Sequence, residues 1–315
     1  MSDTAILADD LRKTFKDVVA VDRISLAVPR GSVLGLLGVN GAGKTTMVLM
    51  LTTVLKPDSG KGIVNGFDVV HQQQAVRRSI GLAGQFAAVD ENLTGRENLV
   101  LVGRLNHISK AAARQRAAEL LDQFRLADAA DRPVRTYSGG MRRRLDLSAA
   151  LITHPPILFL DEPTTGLDPA SRLDLWGVIE GLVSDGTTVL LTTQYLEEAD
   201  RLADNIVVID GGLVVAEGTA KQLKSRLGDT VIEFEFRSPA DAAHAAEVLA
   251  SSTSAGTIVR VVMSEGPNTL REALNRLEAA SLVPGHVALR EPTLDDVFLT
   301  LTTGAVAGAN SGDLS

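Results

Sequence analysis

VLGLLGVNGAGKTTMVLMLTTVL, residues 33–55, opens as an uninterrupted apolar run, breaks into a glycine-rich turn and resumes with helical spacing. The turn has the G-x-x-x-x-G-K-T spacing of a phosphate loop, in the strand, loop, helix context that such a loop requires. Its glycines allow backbone N–H groups to turn inward around an anion, and the partial positive charge at the start of the next helix adds to the attraction. Lys44 is then placed to reach the β and γ phosphates of a nucleotide, and the Thr45 hydroxyl to ligate Mg²⁺.

Working outward, further apolar runs of strand length follow: ILFL (157–160), TTVLLTT (187–193) and NIVVID (205–210). Uninterrupted apolar strands, rather than alternating ones, are what a parallel sheet covered on both faces needs, so the spacing predicts an α/β fold to about residue 217. Asp210, Gly211 and Gly212 form a turn signal ahead of LVVAEG, which predicts a closing hairpin. From about residue 228 the text changes. GDTVIEFEF alternates apolar and acidic residues like a half-exposed strand, and SPADAAHAAEVLA opens with a cap serine and a first-turn proline. NTLREALNRLEAASL places Leu270, Ala273, Leu274 and Leu277 on one face, behind an expected capping box from Thr269 to Glu272. The expectation is a small α+β domain over 229–303 and a disordered tail over 304–315.

ILFLDEP puts Asp161 and Glu162 at the carboxyl end of a buried strand, where open α/β sheets place their ligand chemistry. One carboxylate to hold Mg²⁺ and a second to orient or deprotonate water suits phosphoryl transfer to water. A DE pair alone would be an ordinary solvated turn, and the phosphate loop upstream is what gives it meaning.

The whole chain sets limits on the partners. Its 315 residues, 45% hydrophobic, can bury a large core, and a net charge of -8 disfavours nucleic acid as a partner. With no cysteine, disulfides, zinc–thiolate sites and thiol nucleophiles are excluded. The opening MSDTAILADD is acidic where a signal peptide needs a basic end, and no apolar run is long enough to span a bilayer. The chain is not expected to cross a membrane by itself.

GVNGAGKTT (38–46), YSGGM (137–141) and ILFLDEPTTGLD (157–168), in that order, resemble the ATP-binding subunits of ABC transporters over residues 1 to about 225. The resemblance implies a P-loop NTPase fold with a mostly parallel core sheet, an antiparallel β portion and a helical insertion. It implies ATP held by Gly38, Asn40, Gly41, Ala42, Gly43, Lys44, Thr45 and Thr46, and Mg²⁺ held by Thr45, Gln85 and Asp161. Lys44, Glu162 and Gln194 take the catalytic places. In that family the signature motif closes over the γ-phosphate held by a second copy, a role that falls here to Ser138, Gly139 and Gly140. A serine cap with free N–H groups behind it forms an anion site, although an SGG run alone is an ordinary helix cap. Gln85 matches the family's glutamine loop, and ENLTGRENL, with Thr94 and Glu97 as a capping box, lies where the family meets its membrane partner. Asp168 matches an aspartate that contacts the opposite subunit and, ahead of Pro169, is also a helix start. Phe15 sits where the family stacks an aromatic ring on adenine, and is otherwise a core residue.

Three departures matter. Tyr137 replaces the family's leucine, Met141 its glutamine, and Gln194 holds the place of its switch histidine. Glutamine can donate an amide hydrogen bond to a γ-phosphate but cannot titrate near neutral pH, so Glu162 has to carry more of the chemistry. Arg142, Arg143 and Arg144 read as a solvated or packed helix surface as readily as an anion contact, and are not assigned to ATP. Gln194, YSGGMRRRLDL and EPTLDDVFLTLT (291–302) resemble the daunorubicin-resistance group of exporter ATPases. The implied protein is an ATPase that homodimerises on ATP at the cytoplasmic face of the cell membrane. It would drive a separately encoded permease for a drug, antibiotic or lipid-like compound. The alternatives are an importer ATPase and a soluble ABC-type ATPase acting on ribosomes or DNA; the latter usually carries two fused cassettes or long coiled coils, and this chain has neither.

Overall fold

In a computed structural model of the chain, the residues described are 3–84, 89–225, 230–250, 252–263, 267–290 and 293–298. Gln85, the tail 304–315 and parts of EPTLDDVFLTLT lie outside them. The chain divides into two compact units, Met1–Ala220 and Lys221–Ser315.

In chain order the first unit runs β1 (Thr4–Phe15), β2 (Val18–Pro29), β3 (Val33–Leu37), α1 (Lys44–Leu51), β4 (Ser59–Val64), β5 (Phe67–Asp68), α2 (Gln73–Ser79) and β6 (Ile80–Ala83). It continues through α3 (Gly95–Leu105), α4 (Lys110–Gln123), α5 (Gly139–Ala150), β7 (Ile157–Asp161), α6 (Pro169–Ser184), β8 (Thr188–Thr193), α7 (Leu196–Leu202), β9 (Asn205–Asp210) and β10 (Leu213–Gly218).

Its central sheet has the order β10-β9-β3-β8-β7-β6, and every pairing is parallel except that of β10 with β9. β3, β7 and β8 are buried along their whole length, as their unbroken apolar text requires. Successive side chains on a strand point to opposite faces, and the core divides accordingly. Ile157, Phe159 and Leu190 join one cluster, while Leu158, Leu160, Val189 and Leu191 join the other. The first cluster is completed by Met47, Val48, Met50 and Leu51 of α1 and by the antiparallel sheet β2-β1-β4-β5. α1 is therefore covered by two sheets, and its sequence is apolar almost all round. The second cluster takes in α3, α4 and α5, the helical insertion, together with α6. The β9–β10 turn is a two-residue hairpin with Gly211 at φ 53° and Gly212 at φ 79°, the positive values a type I′ turn needs.

α8 (Ala220–Ser225) begins at the division between the units. The second unit holds β11 (Val231–Glu235), α9 (Pro239–Val248), β12 (Ser252–Ala255), β13 (Ile258–Val262), α10 (Pro267–Ala279) and β14 (His286–Arg290). Its sheet, β12-β13-β11-β14, is antiparallel throughout. Alternation puts Ile232 and Phe234 into a core with Ala245, Val259 and Leu277, while Glu233 on the other face pairs with Arg260 at 2.7 Å. Ser238 and Pro239 start α9 as the sequence predicts. The expected start of α10 needs correction: the helix already includes Pro267, so Thr269 lies within its first turn instead of capping it. Ala273 and Leu277 form the buried stripe, and Leu274 is exposed.

Candidate nucleotide site

The phosphate loop leaves the carboxyl end of β3 and is hemmed in by backbone. A Cβ on Gly38 would stand 2.4 Å from the Ile209 carbonyl oxygen, and one on Gly43 would stand 2.4 Å from the Ala20 carbonyl oxygen. Gly43 also has φ 110°, a value glycine alone adopts without strain. The Ala42 amide donates to the Val39 carbonyl at 3.2 Å, and the Gly212 amide of the β9–β10 turn braces the Ala42 carbonyl at 3.1 Å. α1 starts at Lys44 with no side-chain cap and no acidic residue in its first turn. Its N-terminal N–H groups and dipole therefore favour an anion.

β8 lies between β3 and β7, and the register sets Leu37 beside Thr193 and Asp161 beside Thr192. The catalytic candidates meet at that common edge. Lys44 Nζ donates to the carbonyls of Gly38 at 2.9 Å and Val39 at 3.1 Å, and lies 3.3 Å from Glu162 Oε1. Thr45 Oγ1 donates to Asp161 Oδ1 at 3.3 Å. Thr192 Oγ1 donates to the same Asp161 oxygen at 2.5 Å and accepts from the Glu162 amide at 3.0 Å, so one hydroxyl fixes both acidic residues. Thr165 Oγ1 donates to Glu162 Oε2 at 3.2 Å, and Glu162 has φ 50°, uncommon for a residue with a side chain.

An open cavity of about 400 Å³ lies above these groups. Asn40, Gly41, Gly43, Lys44, Thr45 and Thr46 line one side, and Glu162, Thr165 and Gln194 the other. Gly38 and Ala42 shape the loop without lining it, and Asp161 is reached through Thr45. Among the described residues, Phe15, Ser138, Gly139, Gly140 and Asp168 are not in this wall. Ser138 caps α5 by accepting from the Met141 amide at 3.2 Å, and Ser138 and Gly139 are exposed. A Cβ on Gly140 would come within 2.8 Å of Ser171 Oγ. Ser171 is held by Asp168, whose two carboxylate oxygens accept from its amide at 3.0 Å and its hydroxyl at 2.7 Å. Those hydrogen bonds hold the Asp168 carboxyl below its ordinary pKa. Phe15 is 47% exposed at the end of β1, with Lys13 Nζ 5.8 Å from its ring centre, so it is not a core residue. Tyr137 is one: its hydroxyl donates to the Ala129 carbonyl at 2.7 Å inside the helical insertion.

Sequence reasoning misses Thr165, Thr192 and Arg143. Arg142 faces outward to Glu91 at 2.7 Å, and Arg144 reaches the Phe124 carbonyl at 3.3 Å. Arg143 turns in. Its guanidinium donates to the carbonyls of Pro163 at 2.7 Å, Gly84 at 2.5 Å and Asp161 at 3.2 Å, and to Asp146 Oδ2 at 3.2 Å. Burial draws its pKa down, against the opposing pull of Asp146, Asp161 and Glu198. The one sequence signal for this was Asp146, three residues on and on the same helix face. Glu198 on α7 is fully buried and accepts from Trp176 Nε1 at 3.0 Å; burial pushes its pKa up.

Residues 21–165 match the family described as ABC transporter. The chain is 52% identical to the daunorubicin resistance ATP-binding protein DrrA3 of Streptomyces coeruleorubidus, over 96% of this chain and 97% of that one. It is 48% identical to the doxorubicin resistance ATP-binding protein DrrA of Mycobacterium tuberculosis, over 96% and 94%. Among solved structures, an ATP-binding subunit of an ABC transporter superposes with TM-score 0.64 at 28% identity, covering 71% of this chain and 93% of that one. An ATP-binding cassette solved as a dimer in a post-hydrolysis state with ADP and Pi gives TM-score 0.63 at 25% identity, over 68% and 98%. With a phosphate loop, a paired carboxylate edge and full-length kinship of this degree, the chain belongs to the ATP-binding subunits of ABC transporters, in the daunorubicin/doxorubicin-resistance group of exporter ATPases, and is an ATPase.

Proposed function

We propose that this ATPase hydrolyses MgATP in the cavity between the phosphate loop and the ends of β7 and β8, with Glu162 as general base. A pair of its copies then drives a separately encoded permease that exports a drug, antibiotic or lipid-like compound. The observation that carries the reading is the convergence of Lys44, Thr45, Asp161, Glu162 and Gln194 on one sheet edge.

The division of labour follows from the donors. Loop amides and the start of α1 cradle the phosphates, and Lys44 neutralises their charge. Thr45 and Asp161 offer two adjacent hard oxygens, a donor set suited to Mg²⁺. Gln85, the third residue assigned to Mg²⁺ by resemblance, lies outside the described residues, and phosphate oxygens and waters would complete the coordination. Bound there, the ion would offset charge on the β- and γ-oxygens. Glu162 takes the proton of the attacking water as the new P–O bond forms and the bond to the β–γ bridging oxygen breaks, giving ADP and phosphate. The Gln194 amide donates to a γ-phosphate oxygen and takes no proton. Ser138, Gly139 and Asp168 are exposed at helix starts outside the wall of their own cavity, with Gly140 buried behind them, which suits contact with ATP held by a second copy. The dimeric cassette among the structural relatives supports that arrangement.

No described helix is long and apolar enough to cross a membrane. Kinship with the ATP-binding subunits of ABC transporters supports a peripheral place for the subunit at the cytoplasmic face, beneath its permease. The relatives named for daunorubicin and doxorubicin resistance support export as the direction of transport.

Glu162→Gln is expected to keep ATP affinity, lower turnover about 100-fold or more, and accumulate an ATP-bound dimer visible by size-exclusion chromatography. Unchanged turnover would remove Glu162 as base. Co-purification with the membrane protein that stays bound, followed by a screen for compounds that stimulate turnover, tests the permease and its cargo class.

A further inference from the structure

We propose that Arg143 is a positioning residue that holds the Glu162 carboxylate in its working place from the helix that begins with Ser138, Gly139 and Gly140. The inference rests on Glu162 being the base.

The argument starts from the backbone at Glu162. Its φ of 50° is a conformation that persists only where the surroundings over-determine it. Thr192 holds the Glu162 amide, and Arg143 constrains the segment from both sides of it. Nη2 binds the carbonyl of Asp161, just before Glu162, and Nε binds the carbonyl of Pro163, just after it. Between those two anchors, the proline ring removes one further torsion. The carboxylate is thus carried on a short segment pinned at both ends by one planar group.

The same guanidinium reaches a third segment. Nη1 donates to the Gly84 carbonyl at the end of β6, one residue before Gln85, and to Asp146 on its own helix. Arg143 is 11% exposed at its side chain, so these hydrogen bonds are shielded from competing water. A planar fork is what this geometry requires, because the acceptors lie in different directions around one side chain. A lysine ammonium keeps the charge opposite Asp146 but cannot span all of them. Neither neighbour substitutes, since Arg142 and Arg144 point to Glu91 and to the Phe124 carbonyl. A tilt of α5, whose first residues form the signature, would therefore be felt at the carbonyls flanking Glu162.

The test uses the full-length chain with MgATP, comparing Arg143→Lys, Glu162→Gln and the double variant. Arg143→Lys is expected to lower kcat about 10-fold or more while ATP affinity stays within about twofold, the signature of a displaced group that acts in the transition state. In the Glu162→Gln background, single-turnover hydrolysis should fall no further, because the base through which Arg143 acts is already gone. Equal losses in both backgrounds, or a loss of ATP affinity and melting temperature in step with kcat, would show a merely structural role and overturn the inference. Wild-type turnover in Arg143→Lys beside an inactive Glu162→Gln overturns this inference and leaves the base assignment standing. An active Glu162→Gln overturns the base assignment first. Should Arg143→Lys fail to fold, Arg143→Gln combined with Asp146→Asn removes both charges together, and the same separation of kcat from affinity is required of it.

Discussion

Gly43 and Gly41 show how far a single position can be read from sequence. Both lie in the phosphate loop and both have positive φ, yet a Cβ at 43 would strike the Ala20 carbonyl while one at 41 would meet no protein atom within 4 Å. Gly41→Ala should cost the fold about 1–2 kcal/mol of backbone strain, whereas Gly43→Ala should lower the melting temperature further through its clash with the Ala20 carbonyl. Both line the cavity, so both should weaken ATP binding, Gly43→Ala the more. Thermal melts with and without ATP separate the two. Glu198 makes a different point, because nothing in LEEAD marks it as buried. Its pKa is raised above the ordinary 4.5, mainly by burial, with the hydrogen bond from Trp176 and the charge of Arg172 opposing. The folded state thus keeps a proton that the unfolded chain releases, and stability falls as pH rises from about 4.5 through the folded pKa. Glu198→Gln removes that slope. Its melting temperature should gain on the wild type as pH rises from about 4.5 to 8, and the gain should vanish at the acid end.

Among the elements, helix starts were the most legible. Thr94 with Glu97 forms the reciprocal cap the sequence predicts: the Glu97 amide donates to Thr94 Oγ1 at 3.1 Å, and the Thr94 amide donates to Glu97 Oε2 at 2.8 Å. Such signals lie within four residues, so they survive without tertiary context. α10 shows the limit: with Pro267 already inside the helix, a Thr-to-Glu spacing within the first turn imitates a cap. Two caps can now be set against each other. Thr94→Ala and Ser138→Ala should each cost about 1 kcal/mol, read as lower melting temperatures of similar size. Only Ser138→Ala should also weaken ATP-driven dimerisation and turnover, since Ser138 alone of the two is proposed to meet a second copy's nucleotide. Equal turnover in both variants would make Ser138 an ordinary cap.

At the scale of the molecule, the two units have separate cores, and Phe234 lies in a cluster made of second-unit residues alone. Phe234→Ala should cost about 3–5 kcal/mol and appear in calorimetry as one early transition, with ATP binding by the first unit intact. The sequence by itself determined the phosphate loop, the buried parallel strands, the glycine hairpin and the acidic pair, because each is written in local spacing or in a two-residue or helical period. Strand order is not written that way. Only the arrangement β3-β8-β7-β6 brings Thr192 to Asp161 across 31 residues and Gly84 to Arg143 across 59. The tertiary structure therefore decided which hydroxyl holds the Asp161 carboxylate and the Glu162 amide together. It also decided which of three consecutive arginines turns inward to the backbone carbonyls beside them, since a buried guanidinium needs acceptors that only the assembled sheet edge supplies.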